Sequence, residues 1–163
     1  MGFSDTALAG VNVSSIPNNG CLFPTITAAL AYASPGDTLY IDVTDTYEEN
    51  VVIDMPLTLV GSNTSCDGPA AQGSRAVLKP DPVTPDSVVQ IDLSSLDVVT
   101  LRGLEIREGN AERGGGVHAH HTDVVLDDTV IGANYAADGG GVFVENGSLH
   151  SWSLATGPTV TPP

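Results

Sequence analysis

The stretch Val99–Val117, VTLRGLEIREGNAERGGGV, returns as Val124–Val142, VVLDDTVIGANYAADGGGV. Identical residues fall at Val99/Val124, Leu101/Leu126, Ile106/Ile131, Ala111/Ala136, all three glycines and Val117/Val142, and no gap is needed to align them. Self-similarity at a period of about 20 to 50 residues marks a stacked repeat, in which each unit buries its apolar face against the next. Within the unit, Val99-Thr-Leu101, Leu104-Glu-Ile106 and Val117-His-Ala119 alternate apolar and polar residues, as half-buried strands do. Three short strands separated by turns describe one triangular coil of a parallel β-helix. A leucine-rich repeat has a similar length but requires a Leu/Asn ladder, which is absent.

Earlier segments fit the same three-faced frame with longer loops. Thr38–Ile41 reads as a second-face strand, Val51–Ile53 as a third-face strand, and Leu57-Thr-Leu59 as the start of the next coil. An insertion from Gly61 to Ser74 precedes Ala76–Leu78, and a proline-rich loop, Pro80 to Pro85, precedes Val88–Ile91. The predicted inward stacks are Leu57/Val99/Val124/Leu149, Leu59/Leu101/Leu126/Ser151, Val89/Val117/Val142 and Ile91/Ala119/Val144. Such Val/Ile/Leu content suits a buried parallel sheet. The glycine triplets are expected to supply positive φ and close backbone approach at a corner. A phosphate-cradling role would need a helix after them, and no helical pattern follows.

The open end of such a stack needs a cover. Thr25–Ala33 carries Ile26, Ala29, Leu30 and Ala33 at helical spacing, and Ser34-Pro-Gly-Asp37 stops it. This short helix would cap the first coil, with Val11-Asn-Val13 as a strand pairing against it. The chain thus divides into a leader remnant at 1–10, a cap of strand plus helix at 11–37, coils at 38–152, and a Pro/Thr-rich linker or truncated tail at 153–163. No second cap is visible after Trp152, so the natural protein is expected to continue there or to pair with something.

The 163 residues carry 20 acidic and 5 basic side chains, a net charge of −15. That surface repels phosphate backbones, which argues against nucleic-acid binding, and it is compatible with divalent cations. No apolar run approaches the ~20 residues that a membrane helix needs. The two cysteines, Cys21 and Cys66, fit no zinc or CxxC spacing. A bridge between them would close a loop of roughly 45 residues, worth about 3–4 kcal/mol on the chain-entropy model. Two buried thiols are the other reading, whereas a disulfide would mean export.

The string from Cys21 through Pro24–Ala31, Pro35–Ile41, Tyr47–Ile53 and Leu57–Gly61 to Cys66 resembles the N-terminal cap and first coils of secreted right-handed β-helix proteins of the pectin-lyase-like superfamily. The two cysteines stand where exported bacterial members often place a pair. Gly132–Val142 is similar to the Asn-x-Ala-x-x-Gly-Gly-Gly signature of polymorphic outer-membrane-protein-like repeats; the copy at Asn110 is one residue out of register. The resemblance implies an all-β, right-handed parallel β-helix, three strands per coil, that is secreted or on the cell surface. Lyases, hydrolases and esterases use this fold, and so do adhesins and other surface proteins without chemistry.

Outward positions then decide. If the third-face strands stack in register, Val52, Gln90, His118 and Phe143 form one outward column, and Asp54, Asp92, His120 and Glu145 the next. With strands about 4.8 Å apart, that second column could hold a divalent cation such as Ca²⁺, or simply be solvated. His121 lies near the following turn. His118, Phe143 and Trp152 are candidate ligand contacts. No catalytic residue or organic cofactor is indicated. The expected function is a non-catalytic extracellular or cell-surface module in adhesion, glycan contact or envelope display. The alternatives are an N-terminal fragment of a polysaccharide lyase or esterase, and a structural stalk that self-associates through its uncapped end.

Overall fold

The structure is a computed structural model that describes residues 11–13, 21–63, 74–152 and 155–156. In chain order the elements are β1 (Val11–Val13), α1 (Ile26–Leu30), β2 (Thr38–Asp42), β3 (Thr46–Glu48), β4 (Val51–Ile53), β5 (Thr58–Asn63), β6 (Ala76–Lys79) and β7 (Val89–Arg102). There follow β8 (Leu104–Arg107), β9 (Asn110–Arg113), β10 (Val117–Asp127), β11 (Val130–Gly132), β12 (Tyr135–Asp138), β13 (Val142–Glu145), β14 (Leu149–Trp152) and β15 (Ala155–Thr156). The chain is mostly strand, and its ladders are parallel.

Each identity of the repeat outside the glycine triplets is a ladder partner. Val99 lies opposite Val124 and Leu101 opposite Leu126. Ile106 faces Ile131, Ala111 faces Ala136, and Val117 faces Val142. The repeat therefore records which residues stack. Leu39, Leu59, Leu101 and Leu126 follow one another in register and are fully buried. Tyr47, Leu78, Ile106 and Ile131 form a second stack. Val51, Val89 and Val117 form a third, also fully buried.

The strands sort into three sheets. An eight-stranded sheet has the order β1-β2-β5-β7-β10-β13, with β4 also on β7 and β14 also on β10. A five-stranded sheet has the order β15-β11-β8-β6-β3, and β9 pairs with β12 alone. Three expectations change. Thr38–Ile41 belongs to the first face, beneath Leu57–Leu59, because Leu39 pairs with Leu59; the second-face place is taken by Tyr47 of β3. The unit also holds a further short strand, β9 or β12, whereas its third-face and first-face strands are continuous in β7 and β10. The expected Gly61–Ser74 insertion begins as strand, since β5 runs to Asn63; 64–73 lie outside the described residues.

Corners recur with the same 25-residue offset. Left-handed φ values occur at Gly103 and Asp128, Glu108 and Ala133, Gly114 and Gly139, and His121 and Asn146. Four bends thus bound the four strand segments of each unit. A non-glycine residue in this region costs roughly 1–2 kcal/mol, and the ladders on either side hold it there.

Helix α1 forms as the apolar spacing requires, burying Ile26, Ala29 and Leu30. Thr25 is the N-cap, its Oγ1 accepting from Ala28 N at 3.1 Å. Glu49, from the turn between β3 and β4, accepts from Ile26 N and Thr27 N, both at 2.8 Å. The first donors of the helix are thus satisfied by its own N-cap and by the turn between β3 and β4. Strand β1 extends the eight-stranded sheet, pairing with β2.

Close approach governs the first glycine triplet more than the second. A Cβ placed on Gly116 would lie 2.5 Å from the Gly141 carbonyl oxygen in the next coil, whereas one on Gly141 would meet only Ile131 Cγ2 at 3.5 Å. Gly116→Ala should therefore destabilise the protein by about 1–3 kcal/mol, and Gly141→Ala by less than about 0.5 kcal/mol, in urea unfolding.

Candidate functional site

Strand β10 pairs with β7 along nearly its whole length, but the register slips between His120 and Thr122. His120 pairs with Asp92 and Thr122 with Asp97, so His121 alone answers a longer segment of β7. The chain turns a corner at this break in register, and His121 takes φ +51 within it. In a regular strand, consecutive side chains point to opposite faces. Here the left-handed φ at the corner sets His121 beside His120, with ring centroids 3.9 Å apart and planes at 59°.

The imidazole of His120 has a partner on each side. With the proton on Nδ1, it donates to Asp92 Oδ1 at 3.0 Å. Its Nε2 then faces the Asn146 amide nitrogen at 3.3 Å. Asn146 occupies the same corner one coil on, with φ +55. Asp92, His120 and His121 each offer a ligand atom, and these atoms lie within 4.8 Å of one another. Two imidazoles and a carboxylate can hold a metal ion or a proton, or contact a polar ligand.

The expected column is brought together in part. Asp92, His120 and Glu145 are ladder partners, as anticipated. Glu145, however, turns to Arg113, with Oε2 3.8 Å from Nη1. Asp54 follows the end of β4 and lines a separate cleft beside α1 with Thr27, Leu30, Asn50 and Met55. The third member of the cluster is His121, not Asp54 or Glu145. Strict alternation does not place it, because the left-handed corner interrupts the alternation. Its alignment with Asn146 was a usable signal, since Asn and His are both enriched at left-handed φ.

The other outward column stands as read: Val52, Gln90, His118 and Phe143 are in register. His118 meets Phe143 edge-on at 5.6 Å, and the Arg113 guanidinium sits 5.4 Å from the Phe143 ring centroid. Beside them Asp86, Ala111, Glu112, Arg113 and His118 line an open cleft of about 410 Å³. His118 Nε2 is buried and has no hydrogen-bond partner in the protein. Trp152 is exposed and lies opposite Asp127, at the far end of β10 from the His118–Phe143 pair. Cys21 is disulfide-bonded; Cys66 lies outside the described residues.

Asn134 has a structural role that sequence reading assigned only as part of a signature. It is buried, accepts from Gly109 N at 2.9 Å and donates to Ile106 O at 3.0 Å. It stitches one coil to the one before. At the equivalent place in the earlier unit stands Gly109 itself, which explains why Asn110 is out of register.

In comparisons with known proteins, no family model, no curated protein and no solved structure matches this chain. Among the described residues, no helix is long and apolar enough to cross a membrane.

The Asp92 contact selects one tautomer of neutral His120. Long-range ¹H–¹⁵N spectra should show Nδ1 protonated in the native chain, and Asp92→Ala should shift the population toward the Nε2–H form. Identical tautomer patterns in the two proteins would contradict the hydrogen bond.

Proposed function

We propose that this chain forms N-terminal coils of an exported right-handed parallel β-helix, similar to the pectin-lyase-like superfamily. In this reading it is a non-catalytic surface module that contacts glycans or cell-envelope components through its third face. The parallel ladders at a 25-residue offset support the fold, and the disulfide at Cys21 supports an oxidising compartment. One observation carries the functional part: the outward column of Gln90, His118 and Phe143 borders a cleft lined by Asp86, Glu112 and Arg113. Sugars present hydroxyls and apolar C–H faces together. An aromatic ring beside a guanidinium and an imidazole, with carboxylates in the adjoining cleft, offers both kinds of contact. The net charge of −15 directs the choice toward neutral or cationic surfaces.

Glycan-array binding by the intact chain tests this. Phe143→Ala and Arg113→Ala should each weaken binding at least about tenfold, roughly 1.4 kcal/mol, with unchanged circular dichroism. A chain that binds no glycan, or binds equally well in both variants, removes the reading.

A second reading, a stalk that self-associates, is favoured by the sheet edge. Among the described residues, β13 and β14 each pair only with β10, and Leu149 and Trp152 on β14 are exposed. An unpaired edge can add another strand. Sedimentation velocity should then show dimer growing with concentration and lost in Leu149→Lys; a monomer at every concentration rules the stalk out.

A further inference from the structure

We propose that Asp92, His120 and His121 form a binding site for one divalent transition-metal ion of the zinc class, and not for Ca²⁺. The donor set makes the distinction. Calcium takes six to eight oxygen ligands, while this corner supplies two imidazole nitrogens and a single carboxylate. Imidazole with carboxylate suits Zn²⁺, Ni²⁺ or Cu²⁺.

The geometry needs little adjustment. At about 2.0–2.1 Å per bond, two ligands of a tetrahedral ion lie roughly 3.3 Å apart. Asp92 Oδ1 and His120 Nδ1 are already 3.0 Å apart, so the ion takes the place of the proton they share. His121 completes the set from within 4.8 Å. It is exposed, so its ring can turn inward without repacking the core. His120 Nε2 then carries the proton and donates it to the Asn146 amide, whose oxygen replaces the nitrogen at that position by a simple flip. A ligating histidine usually has such an outer partner. Three protein ligands leave one coordination position open to water or to an oxygen of a bound molecule.

The backbone bears on the same point. His121 holds a left-handed φ in the corner that Asn146 holds one coil later. Asparagine tolerates that conformation better than histidine does. His121→Asn therefore removes the ligand while keeping the bend. The inference does not depend on glycan contact, whose test uses Phe143 and Arg113.

The experiment is isothermal titration of the tag-free chain with Zn²⁺, supported by the visible spectrum of the Co²⁺ form. The expected result is one ion per chain. His121→Asn and His120→Gln should each weaken Zn²⁺ at least tenfold, with the metal-free urea midpoint of His121→Asn unchanged or raised. His150→Ala should bind as the parent does, and Ca²⁺ should not displace Zn²⁺ at equal concentration. Unchanged affinity in His121→Asn, loss of binding in His150→Ala, or displacement by Ca²⁺ would each overturn the site. Should His120→Gln fail to fold, His121→Asn decides alone.

Discussion

The structure depends on the parallel backbone ladder between one pass of the chain and the next. Strands in these sheets take their hydrogen-bond partners from neighbouring passes, with ladder offsets of 25 residues through the regular part. Parallel pairing requires those passes to run in the same direction, so the chain must return each time to the start of the same face. Side chains then meet their counterparts one layer away. Leu39, Leu59, Leu101 and Leu126 make a continuous apolar column because each occupies the same ladder position. Burial of these columns supplies the hydrophobic stabilisation, while the ladder decides which residues share it.

The corners solve a separate problem. Turning from one face to the next in a single residue calls for left-handed φ, and four such positions recur at the 25-residue offset. Polar groups released at the bends are recovered by side chains. Thr129 Oγ1 donates to Leu101 O at 2.9 Å, and Asn134 binds both Gly109 and Ile106 in the preceding coil. Asp123 accepts from both the amide and the hydroxyl of Ser148 in the following coil. These bonds join adjacent layers, so they reinforce the ladder. Buried polar groups left unmade would cost about 1–3 kcal/mol each.

The candidate metal cluster and the aromatic cleft both grow from this frame. His118, His120 and Asp92 are outward members of ladders whose inward members are core residues. Their spacing is set by the strand separation and needs no loop to maintain it. His121 joins them only because the corner is compressed to one residue. The same sheet therefore carries one column shaped by regular alternation and one cluster created by its interruption.

Much of this was legible in the amino-acid order. The paired blocks Val99–Val117 and Val124–Val142 specify parallel, stacked strands and even the partners of Val99, Leu101, Ile106 and Val117, because identical side chains recur where identical environments recur. The helix at Ile26–Leu30 was legible from apolar spacing and its proline–glycine stop. Other features were decided only in three dimensions. Thr38–Ile41 has the alternation of any strand, and which face it joins depends on which neighbour offers a free edge. The bends at Glu108, His121, Asp128 and Ala133 carry no glycine, so composition does not mark them; the ladders on both sides impose the conformation. For the same reason the union of His121 with Asp92 and His120 belongs to the tertiary structure. Pairing between distant passes, not local preference, sets where such a corner falls and which way its side chain turns.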